Sequence, residues 1–161
     1  ALPMTVEIWT NDRKERVDMA TIIQSQLEEI GIHVEIKVLE WGSYLENLKH
    51  GTHDMFLLGW PAAAPDPDFA LTGVFHSSMA GATNFAFFKD AEVDRMLDDG
   101  RGMEDGPDRE AVHEAVQQRI DALCPWVYLH NDEQIVGTRR ELHGLVLSSR
   151  GYHLLTPVTF E

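Results

Sequence analysis

Leu57-Leu58-Gly59-Trp60-Pro61-Ala62-Ala63-Ala64-Pro65-Asp66-Pro67-Asp68-Phe69-Ala70-Leu71 is the stretch on which the reading of this chain turns. The apolar run from Met55 to Leu58 stops at Gly59 and Trp60, and three prolines then fall within Pro61 to Pro67. Breaks of this kind end a buried strand, and open α/β sheets place their ligands in the loops beyond strand ends. A large indole beside a stiff loop of small residues suits a wall against which a ligand is pressed. The segment therefore reads first as part of a binding module.

Upstream, Thr5-Val6-Glu7-Ile8-Trp9 alternates apolar and polar residues, a strand signal. Asn11 or Asp12 is placed to cap a helix that sets Ala20, Ile23, Leu27 and Ile30 on one face, and Gly31 ends it. His33 to Leu39 alternates again, so strand, helix and strand with tight joints predict a right-handed βαβ unit. Ser43-Tyr44-Leu45-Glu46 has the spacing of a capping box and predicts a short helix through Leu48. A third strand is expected from Asp54 to Trp60.

Downstream, Asp66 caps a short helix that has Pro67 at its first position and runs to about Phe75. Asn84 to Phe88 reads as a strand, and Ala91 to Asp98 as a helix burying Val93, Met96 and Leu97. Pro107 opens the longest late helix, with Val112, Val116, Ile120 and Leu123 on one face, and Pro125 closes it. Strands are expected at Trp126 to Leu129, Gln134 to Val136 and Leu145 to Leu147. Residues 1–161 are thus expected to form a single α/β domain, a mixed central sheet flanked by helices.

Composition narrows the classes. A chain of 161 residues with 43% hydrophobic and 25% charged residues is long enough for one well-formed core. The balance of 27 acidic to 13 basic residues argues against nucleic acid, whose phosphates select clustered Lys and Arg. Glycine, proline or polar residues interrupt every long uncharged run, which leaves no membrane span. Ala1 to Val6 leads straight into a strand pattern without a signal peptide. Cys124 stands alone among Leu123, Pro125 and Trp126 and is expected to be an inert buried thiol.

The order βαβαβ is followed by Gly59-Trp60 and a proline loop ending Asp66-Pro67-Asp68. Asn84 and Asp90-Ala91-Glu92-Val93-Asp94 come next, then Arg109 to Ile120 running into Pro125-Trp126-Val127-Tyr128-Leu129. In that order these segments resemble the C-terminal lobe of extracellular solute-binding proteins of the peptide and nickel class, which feed ABC importers. Members of that class are much longer, so the resemblance implies one lobe of a two-lobed, type II periplasmic-binding-protein-like fold. It implies closure of two hinged lobes over a small solute, a peptide above all, and delivery to a membrane permease. It further implies an extracellular or periplasmic location with the whole protein tethered to the membrane, this piece being soluble. No cofactor, metal or catalysis is implied, and the missing N-terminal lobe is an expected partner.

In peptide-binding members an acidic residue three positions after the strand-ending tryptophan pairs with the peptide's α-amino group. Here that position is Ala63, between Ala62 and Ala64. Alanine cannot neutralise an ammonium, so Asp66 or Asp68 takes over the role or the solute has no free amine there. Both aspartates also suit the start of a helix. The candidate ligand-binding residues are Trp60, Pro61, Ala62, Ala63, Ala64, Asp66, Asp68, Phe69 and Asn84. Trp60 and Phe69 suit a hydrophobic core as well as a ligand wall, and Tyr128 is a further weak match to the family.

Rival readings rest on less. Eight histidines, with His50 and His53 three apart, show no recognised metal spacing, although a nickel chelate could be held by few protein ligands. A hydrolase needs a nucleophile beside an oriented base; Ser77 and Ser78 follow His76, but sequence neighbours rarely face one another. Gly100-Arg101-Gly102 lacks the lysine and flanking elements of a phosphate loop. A pure interaction domain would need a large exposed apolar patch.

Overall fold

β1 (Met4–Asn11) and β2 (Ile32–Leu39) pair in parallel along their whole length, Met4 opposite Ile32 and Asn11 opposite Leu39. The structure is a computed structural model describing residues 4–61, 64–148 and 151–161. α1 (Lys14–Glu29) joins the two strands and lays Ala20, Ile23 and Leu27 over Ile8, Val34 and Leu57. Neither Asn11 nor Asp12 caps α1. The chain enters through extended Arg13, and Asn11 instead accepts a hydrogen bond from Arg16 Nη1 at 3.0 Å. The helix ends at Glu29, one residue short of the expected apolar face, so Ile30 is exposed while Gly31 turns the chain with φ +85°.

α2 (Trp41–Leu48) starts two residues before the expected cap. Glu40 accepts from the Ser43 backbone N–H at 3.1 Å, so Glu40 and not Ser43 caps the helix. Tyr44 and Leu48 are thereby buried with Trp9 and Phe85 on the other face of the sheet. β3 (Met55–Phe56) pairs in parallel with β1, giving the strand order β2-β1-β3. It is shorter than the apolar run predicted, because the chain leaves β1 after Leu57, whose N–H donates to the Trp9 carbonyl at 3.0 Å. With three parallel strands, the ends of all three lie on one edge, and Gly59-Trp60 follows from that edge.

The second half is helical. α3 (Pro67–Phe75), a 3-10 turn at Ser77–Met79, α4 (Ala91–Arg101) and α5 (Pro107–Leu123) enclose Val74, Phe75, Val93, Leu97, Val116 and Ile120. Pro67 and Pro107 occupy first-turn positions, where a missing N–H costs nothing. No strand forms at Asn84 to Phe88. The Asn84 amide donates to the Phe88 carbonyl at 2.8 Å and accepts from the Phe88 N–H at 3.2 Å, and Phe87 takes a left-handed φ of 51°. The segment is a loop pinned by one side chain.

Trp126 to Leu129 and Gln134 to Val136 do not form strands either. Their apolar side chains find little to cover them: Val127 is 78% exposed and Ile135 91%. β4 (Leu142–His143) pairs antiparallel with β7 (Thr159–Phe160), and β5 (Val146–Leu147) with β6 (His153–Leu154). Parallel and antiparallel pairing thus occupy separate sheets. Cys124 is exposed, not buried, because it closes α5 in the left-handed conformation with φ 49°. No described helix is long and apolar enough to cross a membrane.

Candidate functional site

Trp60 leaves the edge of the parallel sheet and lies over α3. Its Nε1–H donates to the Ala70 carbonyl at 3.1 Å, and its ring rests against Gly73, where a methyl group would stand 2.8 Å from Cζ2. Only glycine at that position lets the indole lie so close. The indole remains 36% exposed and Phe69 49% exposed, so neither belongs to the core. Between them opens a groove of about 290 Å³, walled by Trp60, Phe69, Met79 and Gly73 and edged by Thr72, Thr83 and Arg101. Apolar faces with a few polar atoms at the rim are what a small-molecule site requires.

Asp66 and Asp68 stand at the head of α3 with their charges already matched. Asp66 accepts the Asp68 backbone N–H at 2.8 Å, capping the helix, and takes two hydrogen bonds from Arg109 Nη2 at 2.9 and 3.1 Å. The Arg109 guanidinium holds its carboxyl below the usual carboxylate range. Asp68 binds Arg101 through Nε at 3.1 Å and Nη2 at 3.3 Å, and accepts from Thr72 Oγ1 at 2.8 Å. Burial alone would raise the Asp68 carboxyl, but Arg101 and Thr72 outweigh it and lower it. Each aspartate therefore serves α3 and an arginine of its own chain.

The remaining sequence candidates are distributed as follows. Pro61 is exposed and Ala64 half-buried beside the groove's loop, while Ala62 and Ala63 lie outside the described residues. Asn84 is 0% exposed, and its amide is spent on His76 and Phe88 carbonyls and the Phe88 N–H. It holds the loop behind α3 with its amide already committed, whereas the sequence suggested a ligand residue. Tyr128 is exposed and packs beside Trp126, ring centroids 6.2 Å apart.

Ser78 and His76 do meet, against expectation: Ser78 Oγ lies 2.7 Å from His76 Nδ1. The same Nδ1 accepts the Ser78 backbone N–H at 3.1 Å, so the ring caps the 3-10 turn. With its one lone pair directed at that N–H, Nδ1 is poorly placed to take a proton from the hydroxyl.

Sequence reasoning missed Arg101, Arg109, Thr72, Met79 and Thr83. The available signal is chemical: two aspartates beside an apolar loop need cations, and Arg101 of Gly100-Arg101-Gly102 is one.

Residues 2–82 match the family model of bacterial extracellular solute-binding proteins, family 5 Middle. The chain is 31% identical over 133 residues to "Probable di/tripeptide-binding protein 5" of Pseudomonas aeruginosa strain UCBPP-PA14, covering 82% of this chain and 25% of that protein. Among solved structures it resembles the periplasmic binding protein DppA of Helicobacter pylori in complex with the peptide STSA. That likeness has a TM-score of 0.72 and 31% identity, over 77% of this chain and 25% of that one. It also resembles NikZ of Campylobacter jejuni in complex with Ni(L-His), with a TM-score of 0.66 and 29% identity, over 76% and 25% of the two chains. The chain spans about a quarter of the length of the relatives it matches.

Proposed function

We propose, since this chain belongs to the bacterial extracellular solute-binding proteins of family 5, that it is one lobe of the substrate-binding component of an ABC importer. It supplies one wall of a cleft for a small solute, a peptide or a comparable molecule. The observation that carries this reading is the groove between Trp60 and Phe69, just beyond the edge where the parallel strands end. Ligands of open α/β sheets collect at that edge. The indole, held by its bond to Ala70, is a fixed face on which an apolar or planar group can rest.

The other wall is assigned to a second lobe of the same protein. Exposed Val127, Ile135 and Phe160 support this, since apolar groups exposed on one lobe are those a second lobe would cover. Lobe closure removes water from the solute, so the isolated lobe is expected to bind weakly. The whole protein is proposed to work outside the cytoplasm, tethered at the membrane, handing its solute to a permease without chemical turnover.

Free-amine dipeptides are proposed to be poor solutes, because Ala63 has no carboxylate and Asp66 and Asp68 are paired with Arg109 and Arg101. A nickel chelate is a second reading, favoured by the likeness to the Ni(L-His) complex of Campylobacter NikZ. Thermal-shift screening of the full-length protein against peptide and nickel-chelate panels tests the assignment. Solutes that raise the melting temperature of the wild type should raise it far less in Trp60→Ala. Equal shifts in the two proteins would remove the groove from the site, and tight calorimetric binding of free-amine dipeptides would remove the amine exclusion.

A further inference from the structure

His53, half-buried just before β3, joins the sheet to the helical half of the chain. Its Nε2 lies 2.9 Å from the Phe85 carbonyl, in the loop that Asn84 pins. A carbonyl only accepts, so Nε2 carries the hydrogen and Nδ1 keeps its lone pair. Trp9 of β1 and Phe56 of β3 flank the ring, their centroids 5.5 and 5.0 Å away. Nδ1 is sealed from solvent there and has no hydrogen-bond partner among the described residues.

A proton on Nδ1 would meet no acid. His33, His76 and His130 each have a carboxylate oxygen within 4.0 Å, and among the described residues His53 has none. Asp54, its neighbour in the chain, turns its carboxylate to the Glu7 backbone N–H at 2.8 Å. On β1, Glu7 is taken by Lys37 of β2 and by the Trp9 indole. α2 contributes the buried Tyr44 and Leu48, its Glu46 pairs with Lys49 just beyond it, and His50 is exposed. β3 and the loop from Ala80 to Phe88 carry no charged side chain. Burial accordingly pushes the imidazole below its ordinary pKa, against smaller opposing effects of the Phe85 carbonyl and Asp54. A charged ring is driven out toward water, and its bond to Phe85 is lost with the move.

That bond fastens a loop whose other residues line the groove. The Phe85 N–H donates to the Thr83 carbonyl at 3.1 Å, and the Met79 carbonyl gathers the N–H groups of Ala82, Thr83 and Asn84 at 2.9 to 3.1 Å. The Thr83 hydroxyl donates to the carbonyl of Gly73, the residue against which Trp60 rests. Met79 and Thr83 are themselves groove residues. We propose that His53 is a positioning residue for the groove wall, holding the loop while neutral and freeing it on taking up a proton, so that solute affinity falls in mildly acidic medium. This rests on the solute-binding reading above and adds the regulation of that site. The freed ring titrates near the ordinary histidine value of about 6.5 and the docked ring below it, so the freed state takes up the proton first. The attachment is complete above pH about 6.5 and weakens as pH falls below that value.

The test uses the full-length protein, freed of carried-over solute by unfolding and refolding. The probe is N-acetyl-leucyl-phenylalanine, whose charge is constant from pH about 7.5 to about 5.5. Isothermal titration should show its affinity falling at least about threefold across that range. Hydrogen exchange at Thr83 to Phe87, corrected for the intrinsic effect of pH, should quicken over the same interval. His53→Gln, which can donate to the Phe85 carbonyl but takes up no proton, should bind the probe equally at both ends of the range. His53→Phe, which keeps an aromatic ring and loses the donor, should be equally flat, and about threefold weaker than the wild type at pH about 7.5. A flat wild-type affinity with quickened exchange overturns the positioning role and leaves solute binding standing. So does a pH dependence that persists in both variants, which assigns it to another group. Should a variant fail to fold, the wild type still decides, because its exchange and its affinity must change together. Absence of binding throughout the range takes down both readings.

Discussion

The Tyr44 hydroxyl, fully buried, donates its hydrogen to the Leu57 carbonyl at 2.8 Å, with the Trp9 carbonyl 3.4 Å away. One phenol thus ties α2 to β1 and to the chain leaving β3, two residues before Gly59. Burial pushes the phenol far above its ordinary pKa, so it remains a neutral donor at every pH the protein meets. Tyr44→Phe leaves a buried carbonyl without a donor and should cost about 1–2 kcal/mol in urea unfolding. Hydrogen exchange should quicken at Leu58 and Gly59, the part of the loop that this bond anchors. Unchanged exchange would show the loop held by other contacts.

Asp66 does two jobs that two substitutions separate. Asparagine caps a helix about as well as aspartate, so Asp66→Asn removes only the charge pairing with Arg109. The aspartate side chain is 40% exposed, and water screens the pair, so a loss of about 1 kcal/mol is expected in chemical denaturation. Asp66→Ala removes the cap as well and should lose about 2 kcal/mol. Equal losses from the two variants would mean that the cap contributes nothing.

Acid unfolding should report on Asp90. Arg119 binds it through two hydrogen bonds at 2.7 and 2.8 Å, the Val93 backbone N–H adds a third, and its carboxyl is held down at about 2. In the unfolded chain the same group titrates near 4, so between those values the unfolded state takes up the proton first. The stability it contributes is complete above pH about 4 and is lost as pH falls toward 2. Asp90→Asn should flatten the stability-against-pH curve in that window alone, while a slope identical to the wild type would assign the acid loss to other carboxylates.

The elements legible in the sequence are those whose signals are local. Thr5 to Trp9 and His33 to Leu39 announce strands by alternation, and Asp66-Pro67 and Pro107 mark helix starts by their own chemistry. Asn84 to Phe88 misled because its apolar residues say nothing about the Asn84 amide, which closes the loop on itself. Trp126 to Leu129 misled because the apolar pattern of a strand stands there without a neighbouring strand to pair with. The site shows the same division. Trp60 and the proline loop stand out in sequence, but Arg101 lies 33 residues from Asp68 and Arg109 lies 43 from Asp66. Local pattern carries no information about which cation will cross such a distance, and neutralised aspartates look the same on paper as free ones.

Gly73 offers the finest control over the groove. Glycine in a helix interior costs roughly 0.5–1 kcal/mol relative to alanine, so Gly73→Ala gains helix propensity. The new methyl group would meet Trp60 Cζ2 at 2.8 Å, and the partly exposed indole has room to swing outward. The swing stretches the bond from Nε1 to the Ala70 carbonyl and moves the wall against which the solute rests. Gly73→Ala should therefore leave the melting temperature nearly unchanged, alter the tryptophan emission, and weaken solute binding in the full-length protein by about tenfold, as expected when one ordered aromatic contact is lost. Altered emission with undiminished affinity would show that the indole is not part of the wall, because a displaced ring could not otherwise fail to disturb its ligand.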